Sequence, residues 1–195
     1  MDITILKFIN GLANQNAILD KIMVFFAEYF IFLLALFMVI LWFVKPNRTR
    51  NREMLLCAAY SFIFSEIIGK FVGVFVYHTQ PFTAHSGINV LVEHGINNSF
   101  PSDHTILVFS ILTVFFLYNR NIKGFIALLL AFIVGFARIF VGVHYPIDVG
   151  VGIVIGVTMS IFCYTVLANS TFFEKTFNFF DKITSFSASN KSEKK

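Results

Sequence analysis

Three groups of residues in this chain have the types and spacing needed for phosphoryl chemistry. The first is Phe100-Pro101-Ser102-Asp103-His104, directly before an apolar run. Proline biases the residue before it toward extended backbone and suits a first helical turn, while Ser and Asp are favoured N-caps, so the stretch reads as a helix start. Unpaired backbone N–H groups and the dipole at such a start bind phosphate, and His104 beside them is a candidate proton donor. An ordinary capped helix with an incidental histidine is the structural alternative. The second group is Arg138, His144 and Asp148. A carboxylate four residues after a histidine can hold one imidazole nitrogen in a helical or turn-like segment, leaving the other as a nucleophile. Pro146 between them suits a turn that enters a helix. Arg138 has no acidic residue within a helical turn, so its partner comes from another segment or from a ligand, and a phosphate is the sharper choice. The third group is Glu66 and Lys70, whose spacing lets them pair on one helix face and neutralise each other. His104, His144 and Asp148 could also form a two-His-one-carboxylate metal site. Against a metal, Arg138 would repel the cation and no further carboxylates cluster nearby.

The elements that must position these residues are set by composition. Of the 195 residues 57% are hydrophobic, 27 are phenylalanine and 13% are charged, against roughly 25% charged in soluble domains. With a mean hydropathy of +0.77, a chain this size in water would expose more apolar surface than its charges could cover, which excludes a soluble globular domain. The net charge of +4 is too small to point to nucleic acid. Cys57 and Cys163 lie in separate apolar runs and read as small core hydrophobes. Five apolar stretches are candidate spans: residues 29–44, 54–77, 105–118, 124–143 and 146–168. The long polar loop is 78–104. Residues 2–27 mix Ile3, Leu6, Ile9 and Leu12 with the Asn14-Gln15-Asn16 cluster, which predicts an N-terminal amphipathic interfacial helix over 1–27. The expected organisation is that helix, a membrane-embedded bundle over 28–175, and a cytoplasmic tail over 176–195. That tail offers little to bury beyond Ser185 and is expected to be disordered. No pattern of a removable signal peptide precedes it all, so the N-terminus is expected to persist.

Lysine and arginine placement orients the bundle. Lys45, Arg48, Arg50 and Arg52 follow the first span, Arg120 and Lys123 the third, and Lys175, Lys182, Lys191, Lys194 and Lys195 the fifth. These regions share a side, and the positive-inside rule makes it the cytoplasm. The stretch 78–104 and the turn at 143–146 carry no Lys or Arg and should face outward. Lys7 and Lys21, near the N-terminus, run against the trend. Both histidine groups thereby fall near one membrane surface, together with Arg138.

Taken together, these residues resemble the type 2 phosphatidic acid phosphatase superfamily, with its Lys-x6-Arg-Pro, Pro-Ser-Gly-His and Ser-Arg-x5-His-x3-Asp motifs. Pro101-Ser102-Asp103-His104 is similar to the second motif, and Ala137-Arg138, His144 and Asp148 to the third. The resemblance runs from about Lys70 to Asp148. It implies an all-α membrane bundle of about five transmembrane helices with a phosphatidic acid phosphatase/haloperoxidase-like core. It also implies roles: His144 as nucleophile, Asp148 orienting its ring, and His104 as acid and then base. Arg138, Ser102, Asp103 and the helix-start amides would hold phosphoryl oxygens. Neither metal nor other cofactor is implied, nor any obligate protein partner. The first motif departs from the pattern, with Gln80 before Pro81 in place of Arg and Lys70 ten residues upstream of Gln80 instead of seven. Gln80 can donate a hydrogen bond to phosphate without bringing charge, and Lys70 lies about one turn deeper in the membrane. His78, His85 and His94 are substrate contacts or solvated loop residues. Asp103 in place of Gly, the short chain and the outward site resemble the bacitracin-resistance type of undecaprenyl-diphosphate phosphatase. The implied activity is removal of the terminal phosphate from a polyprenyl diphosphate at the outer face of a bacterial cell membrane. Another membrane lipid phosphate, transfer to another lipid alcohol, and a non-catalytic transport or drug-binding subunit are the alternatives.

Overall fold

High apolar content with helix-period patterning leaves a bilayer-bound chain only a few ways to satisfy its backbone, and this one folds into helices. The computed structural model describes residues 2–45 and 47–192, with side chains described through Ile183. A short helix α1 (Asp2–Asn10) precedes a continuous helical run over Ala17–Phe43, made of α2 (Ala17–Val24), a π-turn (Phe25–Tyr29) and α3 (Phe30–Phe43). Then come α4 (Arg48–Phe75), α5 (Pro81–Ala84), α6 (Asp103–Tyr118), α7 (Ile122–Phe140), α8 (Pro146–Thr165) and α9 (Thr171–Ser192). The run 17–43, α4, α7 and the stretch Pro146–Asn169 are each long and apolar enough to cross a membrane. The chain is an all-helical membrane protein, as expected.

α6 is too short to face lipid for its whole length, at about 24 Å. It sits at the centre instead, packed against α4, α7 and α8. Its residues Thr105, Ile106 and Val108 through Val114 are buried on every side, which explains why it carries no polar stripe. α8 reaches it closely at Gly152 and Gly156. A Cβ on Gly156 would lie 2.9 Å from the Cβ of Phe109 and 3.0 Å from the Ser110 backbone nitrogen, and one on Gly152 would lie 3.1 Å from Thr105 Cβ. Small residues four apart let two membrane helices approach this closely. The approach brings the start of α8 against the start of α6, where the two histidine motifs lie.

Two boundaries differ from the sequence expectation. The first span begins at Ala17, well before residue 29, because Asn16 caps it: its side chain accepts hydrogen bonds from the backbone of Ile18 and Leu19. The interfacial helix expected over 1–27 is thereby reduced to α1, and α1 is built into the protein. Leu6 is fully buried beside Ile139 and Val149. Asn10 donates to the carbonyls of Asn89 and Phe140, both at 2.8 Å, and accepts from the Asn89 amide at 2.8 Å. The second difference is the tail. The backbone is helical through Ser192, with α9 leaning on α4, so free chain beyond Ser185 is corrected to helix; residues 193–195 lie outside the described residues. Arg52, buried under Trp42, pairs with Asp181 of α9 and ties the two together.

Candidate active site

Four elements converge at the end of the bundle away from the basic loops. α6 begins at Asp103 with Ser102 as N-cap, α7 ends just after Arg138, and α8 begins after Tyr145 with Pro146 in its first turn. The π-turn of the first span packs against α7.

His144 precedes α8 and is 5% exposed. Asp148, fully buried in the first turn of α8, accepts the Tyr145 backbone N–H at 3.0 Å, so the carboxylate that caps the helix also faces the histidine. Its Oδ2 is 3.6 Å from His144 Nδ1, just beyond hydrogen-bond reach. The opposite ring nitrogen, Nε2, is 3.5 Å from Arg138 Nη2. Burial holds the His144 imidazole below its ordinary pKa; Arg138 acts in the same direction and Asp148 against it. An imidazole held low in this way is uncharged near pH 7, and an uncharged ring keeps one unprotonated nitrogen. His104, half-buried in the first turn of α6, is an electrostatic neighbour of Arg138, His144 and His94. Ser102 is buried; its hydroxyl accepts from Thr105 and its amide donates to the Asp148 carbonyl at 3.2 Å. That bond joins the two motif-bearing segments directly.

Residues 54–172 match the PAP2 superfamily profile. The chain belongs to the PAP2 superfamily. It is similar to the "Bacitracin transport permease protein BcrC" of Bacillus licheniformis, 39% identical over 94% of this chain and 89% of that protein. It is also similar to the "Undecaprenyl-diphosphatase BcrC" of Bacillus subtilis (strain 168), 36% identical over 76% of this chain and 75% of that one. Among solved structures, Aquifex aeolicus LpxE is 27% identical with a TM-score of 0.68, covering 84% of this chain and 94% of that chain.

As a PAP2 protein, the chain treats its first-motif residues unusually. Gln80, expected to meet substrate, is fully buried, and its amide nitrogen donates both hydrogens, to the Gly95 carbonyl at 2.8 Å and to Asn97. Its oxygen accepts from the Asn97 amide at 3.0 Å. Gln80 is therefore corrected from a phosphate donor to a clamp that closes the 78–104 loop. Lys70 and Asp103, both expected as substrate ligands, engage each other at 2.6 Å with both side chains largely exposed. In the structure they form an exposed ion pair with each other at the edge of the site, and the expected Glu66–Lys70 pair is looser, at 3.9 Å. Nothing in their spacing foretold this, because Lys70 and Asp103 meet only when α4 packs on α6.

Three further residues join the site, and only Glu28 went unmarked in the sequence. His78, weighed there as a substrate contact or a solvated loop residue, places Nδ1 2.8 Å from Asp148 Oδ1, so one carboxylate faces two imidazoles. Its ring lies between Phe100 and Tyr145. His94 sets its ring edge-on to His144, with centroids 6.1 Å apart. Glu28, from the π-turn, pairs with Arg138 at 2.6 Å and supplies the acidic partner that residues near Arg138 lack. On the other side of His78, His85 and Tyr145 join it in lining an open depression of about 430 Å³. Among the described residues, no group of three or more His, Cys, Asp or Glu is arranged to hold a metal ion.

Proposed function

We propose that this protein is an undecaprenyl-diphosphate phosphatase. It removes the terminal phosphate of the lipid carrier at the outer face of a bacterial cell membrane, needs no metal, and thereby supports carrier recycling and bacitracin resistance. The observation that carries the reading is buried His144, with the Asp148 carboxylate 3.6 Å from its Nδ1 on one side and the Arg138 guanidinium 3.5 Å from its Nε2 on the other. His144 Nε2 attacks the terminal phosphorus, forming an N–P bond as the P–O bond to the lipid monophosphate breaks. His104, whose imidazole is held low in the empty site by burial and by the neighbouring Arg138 and His144, takes up a proton as the anionic diphosphate enters beside it and delivers that proton to the departing oxygen. The imidazolium that develops is stabilised by Asp148, and the charge on the phosphoryl oxygens by Arg138 and the α6 helix-start amides. His104, now a base, takes a proton from water as it attacks the phosphohistidine, releasing inorganic phosphate and restoring His144.

The PAP2 match and the undecaprenyl-diphosphatase of B. subtilis support both chemistry and substrate. The outward placement rests on the absence of Lys and Arg from 78–104, at the site end, and on their abundance at the other. A second reading is favoured by the name of the B. licheniformis relative, a transport permease. Transport gives no use for a neutral buried imidazole flanked by a carboxylate and a guanidinium, so phosphatase chemistry accounts for more of the site. The test is phosphate release from undecaprenyl diphosphate by purified protein in excess chelator. Wild type is expected to turn over and His144→Ala to be inactive though folded. Activity retained in the variant overturns the nucleophile. Loss of wild-type activity on chelation overturns metal independence, and a folded wild type inactive on this lipid returns weight to another lipid and then to transport.

A further inference from the structure

Arg138 is fully buried, so every one of its donors must find a partner in protein or ligand. Its two edges are treated differently. Nη1 is held by the first span alone: it donates to the Ala27 carbonyl at 3.0 Å and to Glu28 Oε1 at 2.6 Å. Nη2 faces His144 Nε2 at 3.5 Å, and Nε is buried with no hydrogen-bond partner. Nε–H and Nη2–H together form the side-on fork by which a guanidinium grips two oxygens of a phosphate. One edge is thus fastened to protein, while the other has an unpartnered Nε and, at Nη2, only the long 3.5 Å contact with His144.

The fastening comes from an irregularity. The first span is α-helical except at Phe25–Tyr29, a π-turn in which the Phe30 amide reaches back to the Phe25 carbonyl. Such turns alter which groups a helix presents and often occur at functional sites. Here Ala27, fully buried, presents its carbonyl while its neighbour Glu28 presents its carboxylate to the same nitrogen. Residues 25–29 lie outside the part of the chain that matches PAP2, which begins at residue 54.

We propose that Glu28, with the Ala27 carbonyl, is a positioning residue: it clamps the Nη1 edge of Arg138 so that the Nε–Nη2 edge meets the transferring phosphoryl group beside His144. The inference rests on the phosphatase reading above. A clamp of this kind acts mainly when charge develops on the phosphoryl oxygens, so its loss lowers kcat more than it raises KM. If Glu28 only neutralised Arg138 in the empty site, substrate phosphate would have to displace it, and its removal would lower KM with kcat kept.

The experiment measures kcat and KM for phosphate release from undecaprenyl diphosphate by full-length wild type, Glu28→Ala, Glu28→Gln and Glu28→Asp. Glu28→Ala is expected to lose roughly tenfold to a hundredfold in kcat, the scale of a small misplacement of a reacting group. Glu28→Asp, which keeps the charge, should recover part of the loss. Glu28→Gln keeps shape and an acceptor and should fall between, so the test survives if Glu28→Ala fails to fold. In an Arg138→Lys background, where there is no fork to orient, Glu28→Ala should cost little further. Unchanged kcat in an active, folded Glu28→Gln, or a lowered KM with kcat kept, overturns the clamp and leaves the phosphatase reading standing. A folded wild type that releases no phosphate overturns that reading and the clamp with it.

Discussion

Replacing Asn10 with Ala tests whether α1, far from the histidine motifs in sequence, holds the turn that carries His144. Asn10 is buried and makes three hydrogen bonds of 2.8 Å through its side chain: to the carbonyls of Asn89 and Phe140, and from the Asn89 amide. Phe140 ends α7 two residues after Arg138, and Gly142 follows with a left-handed φ of 85°. At Gly142 the chain passes so close to the loop that a Cβ would lie 2.6 Å from the Asn89 carbonyl. Asn10 therefore joins α1, the 78–104 loop and the α7–α8 turn at one point. Each bond contributes about 1 kcal/mol net, and the buried groups left unpaired raise the loss, so Asn10→Ala should destabilise the fold by about 3 kcal/mol. A loss of that size should lower the melting temperature in detergent by several degrees. Because the freed turn carries His144, kcat should also fall, with the chain still folded at room temperature. Melting followed by intrinsic fluorescence, beside phosphate release at saturating substrate, reads both. Wild-type melting and wild-type kcat in Asn10→Ala would refute the claim that α1 is part of the site's framework.

Gln80→Arg, which restores the charge usual in the family's first motif, should lower both stability and activity, since it breaks the bonds to Gly95 and Asn97 and puts an unpaired charge where the side chain is fully buried. A gain in apparent substrate affinity with wild-type melting would refute that assignment. The acidic limb of kcat/KM should lie below pH ~6.5, the ordinary imidazole value, because burial depresses the His144 pKa. The same depression bears on stability: as pH falls from 6.5 toward the folded-state pKa, the unfolded chain binds a proton that the folded chain does not, so stability declines in that window. A limb centred above pH 6.5 in the pH–rate profile would contradict a buried neutral nucleophile.

Much of this molecule was legible in its sequence because the governing interactions are local or compositional. A bilayer leaves so apolar a chain only helices, and the order of apolar runs set their number. Pro101-Ser102-Asp103-His104 announced the α6 start because capping depends on neighbouring residues, and His144 with Asp148 announced itself because a four-residue spacing survives any packing. Tertiary structure alone decided the partners. Whether Arg138 meets Glu28 or a ligand depends on where the first span lies against α7, and the two residues are too far apart in sequence for any periodicity to connect them. The same holds for His78 on Asp148 and for Gln80, whose amide looked like a phosphate donor until the loop folded back on it. Long-range contacts between buried polar groups are selected by the need to satisfy every donor in a closed space. That demand is set by the assembled bundle and has no counterpart in any single stretch of the chain.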